Sequence, residues 1–107
     1  GQTILYNILK RNIMPSMSDH EVMVHLSSLK KWNYEDRHLI RTIQLPDLMS
    51  CVDFVNKIAA KAESLDHHPD LLLFDYNKVK VAVTTHSQGG VTEKDFKLAQ
   101  FVDTLLS

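Results

Sequence analysis

The stretch ESLDHHPD, residues 63–70, ends the longest helical pattern in the chain and places two histidines side by side at a bend. A residue that precedes proline is disfavoured in the α conformation, so His68 should turn away from the helix axis while His67 still belongs to the last turn. The two imidazoles would then face one concave site from different directions. Because histidine gains and loses a proton near neutral pH, this stretch is a candidate acid–base site.

The helix that leads into this stretch should begin at Pro46 and Asp47, because proline is favoured in the first turn of a helix. One stripe at three- and four-residue steps contains Leu48, Val52, Val55, Ala59, Ala62 and Leu65. Three further apolar residues lie outside that stripe, namely Met49, Phe54 and Ile58. A helix that is apolar on more than one side is buried on more than one side. We therefore expect one side to face a sheet and the other to face a second subunit, or else a segment of the same chain.

The residues before this helix predict a shorter helix followed by a hairpin. Ser18 and Glu21 have the spacing of a capping box, and the helix that they begin should end near residues 30–31. Residues 32–34 and 38–45 have extended patterns. The polar residues between these two segments predict the turn of an antiparallel hairpin.

The residues after the bend predict a second hairpin. Residues 71–76 and 79–85 are rich in β-branched and aromatic side chains and should form two strands. The short connection Asn77-Lys78 makes the pair antiparallel. His86 follows the end of the second of these strands, so a third histidine becomes available at a strand end.

The last helix should begin at Thr92, with Asp95 three residues on as in a capping box. Asp95 would then serve only as a helix cap, or it would orient His86 as a carboxylate partner of the imidazole. The predicted order of elements is helix, two strands, helix, two strands, helix. This order predicts an α+β fold in which helices pack on one face of a four-stranded antiparallel sheet.

Length and composition limit the classes of function. A chain of 107 residues fits one modest core, and 12 basic against 13 acidic residues leave no basic stripe that would favour direct nucleic-acid binding. No apolar run is long enough to span a membrane. The single cysteine, Cys51, lies in a helical apolar pattern and is expected to be a buried, reduced thiol. A cytoplasmic location is the default expectation, with the nucleus and organelles left open.

We expect the chain to divide into an N-terminal extension, residues 1–17, and one domain, residues 18–107. Gly1 cannot be a native initiator, so we expect this extension to be a processed segment or a tag remnant. Its apolar residues have helical spacing over residues 1–13, which predicts a short amphipathic helix.

Several motifs that surround the three histidines form a specific combination. They are Glu63, His67-His68-Pro69-Asp70, Tyr76-Asn77-Lys78-Val79, Thr84-Thr85-His86, Gly90-Val91-Thr92 and Asp95. Taken together, they closely resemble the pterin-4a-carbinolamine dehydratase family, and the likeness extends from Ser18, through Trp32, to Leu106. The resemblance implies dehydration of 4a-hydroxytetrahydrobiopterin to quinonoid dihydrobiopterin and water, a step of tetrahydrobiopterin recycling, with no metal and no organic cofactor.

The resemblance also implies a set of site residues. The catalytic histidines would be His67, His68 and His86. The pterin would be bound by Pro69, Thr85, Ser87 and Trp32, and the supporting acids would be Glu63 and Asp95. From spacing alone, Trp32 could belong to the core or to a pocket rim. The resemblance further implies a homodimer or homotetramer, and some members of that family bind a transcription factor through their helical surface.

Two other functions compete with this interpretation. Three histidines and an acid are a usable ligand set for zinc, but neighbouring histidines rarely reach one ion together and the HExxH spacing is absent. A protein-interaction module, acting as a dimerisation cofactor or coactivator, is the second alternative, and it is compatible with a dehydratase.

Overall fold

The computed structural model describes residues 16–29 and 31–107, and in this part of the chain three α-helices pack on a four-stranded antiparallel sheet. The elements are α1 (Asp19–Leu26), β1 (Asn33–Glu35), β2 (His38–Gln44), α2 (Leu48–Leu65), β3 (Asp70–Phe74), β4 (Lys78–Val83) and α3 (Glu93–Thr104). The predicted class and element order are confirmed. The helix predicted for residues 1–13 lies outside the described residues.

The sheet has the strand order β1-β2-β4-β3, with every neighbouring pair antiparallel. Alternate residues of the two central strands are buried beneath the helices, as period-two alternation requires: Leu39, Ile43, Val79, Val81 and Val83. Arg41 shares this face by parity, and its guanidinium pairs with Asp103 of α3. This pairing explains the one charged residue that interrupts the apolar alternation of β2.

The first helix begins as predicted, with a reciprocal capping box between Ser18 and Glu21. It ends at Leu26, before the predicted end near residues 30–31. The Ser27 and Ser28 hydroxyls donate to carbonyls of the preceding turn, at 2.8 and 2.7 Å. Serine side chains that bond to the backbone in this way compete with continued helix.

The second helix begins at Leu48, just after the predicted Pro46-Asp47, because Asp47 is the N-cap and Pro46 precedes it. The Asp47 carboxylate accepts a hydrogen bond from the Ser50 backbone N–H at 2.7 Å, and the hydrogen bonds from Ser50 hold the pKa of that carboxyl below its usual range.

The side of α2 that faces the core is not the predicted stripe, of which only Ala62 is fully buried. The buried residues of this helix are Cys51, Phe54, Ile58 and Ala62. Leu48, Met49 and Leu65 are exposed instead. A helix that is apolar on several sides does not reveal which side meets the sheet, and Phe54 and Ile58 supply the larger side chains to the core.

The end of α2 also differs from the prediction. The helix ends at Leu65 because Asp66 adopts the left-handed conformation, with φ of 48° and ψ of 43°. The Asp66 N–H donates to the Glu63 carbonyl and the His67 N–H donates to the Ala62 carbonyl, which is a Schellman motif. Aspartate tolerates this backbone better than most residues. The motif, rather than the proline, stops the helix and places His67 beyond its last turn.

The turn between β3 and β4 lies at residues 75–77, not at the predicted Asn77-Lys78. Asp75 and Tyr76 have φ values of 47° and 51°, and Lys78 already pairs with Phe74 in the sheet.

At the start of the described chain, the Met17 N–H donates to the Val91 carbonyl at 2.7 Å, so this residue of the predicted extension packs on the domain. No helix within the described residues is long and apolar enough to cross a membrane.

Candidate active site

A buried hydrogen bond joins the first histidine of the bend to the last helix. His67 Nε2 lies 2.5 Å from Asp95 Oδ1, and their side chains are 10% and 0% exposed. The Schellman motif turns the chain back toward the first turn of α3, where Asp95 lies. The sequence leaves two roles open for Asp95, a helix cap or an orienting partner of His86; the structure shows the cap, and the imidazole that Asp95 contacts is that of His67. The local pattern predicted the cap and could not show which histidine, 28 or 9 residues away, the acid would reach.

The second oxygen of Asp95 is also fully engaged. Oδ2 accepts the Thr92 backbone N–H at 2.9 Å, which completes the predicted capping box, and the Thr85 hydroxyl at 2.7 Å. A carboxylate that receives these donors accepts the proton on His67 Nε2 as a further hydrogen bond. The tautomer of His67 is thereby fixed, and Nδ1 is the nitrogen left for other chemistry.

His67 also lines a cleft on the surface of the domain. The cleft has a volume of about 160 Å³, and its other lining residues are Leu65, Lys94 and Lys97. Although His67 is largely buried, a small polar molecule could therefore approach it from the side of α3.

His68 turns outward, as predicted for a residue before proline. Its Nε2 lies 2.9 Å from Glu63 Oε1, and the two side chains are 57% and 77% exposed. An exposed pair of this kind contributes little to stability. Its effect is to hold the His68 ring toward the last turn of α2, next to the half-buried Pro69.

The third predicted histidine, His86, begins a single 3₁₀ turn, His86–Gln88, and is exposed together with Ser87. Thr85, just before it, is buried, and its hydroxyl and backbone groups have hydrogen-bond partners. Its hydroxyl contacts Thr92 Oγ1 and Asp95 Oδ2, and its backbone forms a bridge with Gly90. The chain of contacts from His67 through Asp95 to Thr85 therefore ends one residue from His86.

The structure places a further histidine, His38, beside His86. The centroids of the two rings are 6.1 Å apart, with an angle of 71° between their planes. His38 follows the turn of the first hairpin, 48 residues from His86, and no local signal in the sequence links them.

Trp32 lies away from this group within one chain. It is 5% exposed, and its indole N–H donates to Asp103 Oδ1 at 2.8 Å. Asp103 follows Asp95 by eight residues on α3, which is about 12 Å along a helix axis. The structure thus brings Trp32 into the core, beside Arg41, and not to the histidines.

The described residues bring together the motif acids and histidines in pairs. His67 pairs with Asp95, His68 with Glu63 and His86 with the ring of His38. Within residues 16–29 and 31–107, no three histidine, cysteine, aspartate or glutamate side chains form a group that could hold a metal ion. The arrangement can hold and move protons at several imidazoles, two of which, His67 and His68, are oriented by hydrogen bonds.

Over most of its length the chain is similar to one known protein family. The family model described as pterin 4 alpha carbinolamine dehydratase matches residues 15–105. A protein of Metallosphaera sedula named "Putative pterin-4-alpha-carbinolamine dehydratase" is 44% identical over 92 residues, which cover 86% of this chain and 95% of that protein. A protein of Chloroflexus aurantiacus with the same name is 39% identical over 93 residues, covering 87% and 99%.

A solved structure shows the same fold. The crystal structure of a transcriptional coactivator/pterin dehydratase from Brucella melitensis superposes with a TM-score of 0.81 at 32% sequence identity. The alignment covers 86% of this chain and 99% of that one.

Proposed function

Because the chain belongs to the pterin 4 alpha carbinolamine dehydratase family, we propose that it dehydrates 4a-hydroxytetrahydrobiopterin to quinonoid dihydrobiopterin and water in the recycling of tetrahydrobiopterin. The observation that carries this proposal is the buried pair of His67 and Asp95, linked through Thr85 to the turn that holds His86. An imidazole with a fixed tautomer is the group that a proton-transfer reaction requires.

The reaction divides into two proton transfers. The 4a-hydroxyl leaves as water once an acid has protonated its oxygen, and the ring nitrogen N5 loses its proton to a base. We assign these roles to His67 and His86, without assigning which is the acid. Asp95 orients His67, and His68, held by Glu63, binds and orients the pterin.

The residues around the histidines have different parts in substrate binding. Ser87 and Pro69 retain exposed surface next to His86 and His68 and would contact the pterin. The Thr85 hydroxyl, N–H and carbonyl already have partners in the chain, so Thr85 would act by holding Asp95.

A homo-oligomer is supported by exposed apolar side chains on two surfaces. Leu48 and Met49 at the start of α2 are 46% and 69% exposed, and Leu72 and Phe74 of the edge strand β3 are 54% and 36% exposed. An edge strand with apolar side chains is a ready template for pairing with another chain. We propose that copies of this chain cover these surfaces as a homodimer or homotetramer.

The protein would act without metal or organic cofactor, because the proposed steps are two proton transfers and the loss of water, with no transfer of electrons to a cofactor. A reducing compartment such as the cytoplasm suits the buried free thiol of Cys51.

A second candidate function is binding of a protein partner through the helical surface. Two observations favour it: the Brucella protein is named a transcriptional coactivator as well as a pterin dehydratase, and the start of α2 exposes apolar side chains.

Purified wild-type protein should accelerate dehydration of 4a-hydroxytetrahydrobiopterin above its spontaneous rate. The reaction can be followed by absorbance with the substrate generated in place, before and after treatment with a chelator. The rate should be unchanged by the chelator and by His20→Ala, a substitution of an exposed histidine on α1. A rate equal to that of buffer would refute the proposal, and stoichiometric zinc whose removal abolishes turnover would favour a metalloenzyme.

A further inference from the structure

The turn of the first hairpin is tied to the loop that carries His86. Asp36 and Arg37 have φ values of 49° and 59°, the signs of a tight two-residue turn that suits a twisted hairpin. The Arg37 carbonyl accepts the Thr84 hydroxyl at 2.7 Å, and the Arg37 guanidinium donates to the Gly89 carbonyl at 3.3 Å. These two bonds fasten the turn to both ends of the segment that contains His86.

His38, the next residue after this turn, has a fixed ring. Its Nδ1 lies 2.6 Å from the Asp36 carbonyl oxygen. A carbonyl only accepts hydrogen bonds, so Nδ1 must carry a proton and the direction of the ring is set by the backbone of the turn. His38 is also half-buried, whereas His86 is exposed.

The His86 ring makes no hydrogen bond to another side chain or backbone group of the described residues, in contrast with His67 and His68. It contacts the His38 ring instead, edge to face, with 6.1 Å between the ring centroids. Edge-to-face packing is a preferred arrangement of aromatic rings and is directional. Each of the three site histidines thus has one neighbouring side chain that can orient its ring. This neighbour is Asp95 for His67, Glu63 for His68 and His38 for His86.

From this geometry we propose that His38 is a positioning residue that holds the His86 imidazole in the orientation needed for proton transfer. The proposal rests on the proposed function for its effect on rate, but the ordering of the His86 ring can be observed without turnover. The His38 ring makes the contact with His86. The hydrogen bond from His38 Nδ1 to the Asp36 carbonyl holds that ring in place, and we call this bond the anchor.

Three substitutions separate the ring from the anchor. His38→Asn keeps a donor for the Asp36 carbonyl and removes the ring. His38→Phe keeps a ring and removes the donor, and His38→Ala removes both. His20→Ala is the matched control, because His20 is an exposed histidine of α1. Thermal melting of each variant establishes that the fold is retained.

The test combines steady-state kinetics with the side-chain rotamer of His86, measured by scalar couplings in protein with isotopically labelled histidine. We expect His38→Ala and His38→Asn to lower kcat by about two- to tenfold with little change in KM, as loss of one aromatic pair implies. The His86 rotamer should become averaged in both. In His38→Phe, kcat and the ordering of the His86 rotamer should both be partly retained. In His20→Ala, both should match wild type.

A single His86 rotamer and an unchanged kcat in both His38→Ala and His38→Asn would overturn the proposal. If wild-type protein does not turn over the pterin, the proposed function fails, and the rotamer of His86 in the same variants still decides whether His38 positions it.

Discussion

Replacing His67 with alanine is expected to lower the rate of pterin dehydration by at least about tenfold, since one positioned acid or base typically contributes about 10²–10⁴-fold. His86→Ala should have an effect of the same size, because the reaction needs both an acid and a base. Both losses should fall on kcat. His68→Ala should instead raise KM, because His68 is assigned to binding.

The loss in His67→Ala must be distinguished from a loss of folded protein. The alanine removes a donor from Asp95, a fully buried carboxylate, and should destabilise the domain as well. Asp95→Asn is the matched variant. Its amide oxygen can still accept from Thr92 and Thr85, while its NH₂ group faces His67 Nε2 and donates to it. The proton of the imidazole then moves to Nδ1, so the tautomer is reversed in a side chain of the same shape.

We therefore expect Asp95→Asn to melt closer to wild type than His67→Ala does, yet to lose activity to a similar extent. Steady-state kinetics and thermal melting of the two variants, measured side by side, provide the test. Wild-type kcat in both His67→Ala and His86→Ala would remove the acid–base assignment. Full activity in Asp95→Asn would show that the His67 tautomer is unimportant.

Phe54→Glu is expected to unfold the domain. The helical pattern alone places Phe54 outside the main apolar stripe of α2, on a side that could face a second subunit, and a charge there would only split an assembly. Its side chain is in fact 5% exposed within a single chain, in the core with Cys51 and Ile58. Removing a buried phenylalanine side chain costs about 3–5 kcal/mol, and a buried carboxylate without partners costs more. A small domain with a stability of about 5–15 kcal/mol has little left after such a loss.

Met49→Glu is the matched control on the same helix, because Met49 is 69% exposed. This variant should fold, as judged by circular dichroism, while its mass by light scattering at micromolar concentration should fall below that of wild type. A wild-type mass near 12.3 kDa would end the proposal of a homo-oligomer. If the wild-type protein is an oligomer that Met49→Glu leaves intact, the edge strand β3 becomes the candidate interface. The start of α2 would then be free to bind a different protein partner.

The sequence predicted the features that depend on neighbouring residues. Both capping boxes, Ser18 with Glu21 and Thr92 with Asp95, have partners three residues apart, so the spacing determines the contact. The outward turn of His68 follows from the proline after it. The element order follows from the periodicity of the apolar residues, which differs between helices and strands.

The features that were missed depend on the folded chain. Asp95 reaches a histidine 28 residues away, and His38 meets His86 across the end of the sheet, and neither pairing has a local pattern. The stop at Asp66 depends on a left-handed backbone that aspartate adopts only in some contexts. The inner side of α2 could not be identified because apolar residues occupy several of its sides.

Asp95 both caps the start of α3 and bonds to His67 in the candidate site. Opening of this helix end would therefore also disrupt the site. If the first turn of α3 frays, the Thr92 N–H and His67 lose the same carboxylate in one event. Local opening of this kind requires less free energy than global unfolding in most proteins. Hydrogen exchange at the Thr92 amide should therefore report how often the site is disassembled, and heat inactivation should follow that local opening rather than the melting of the sheet.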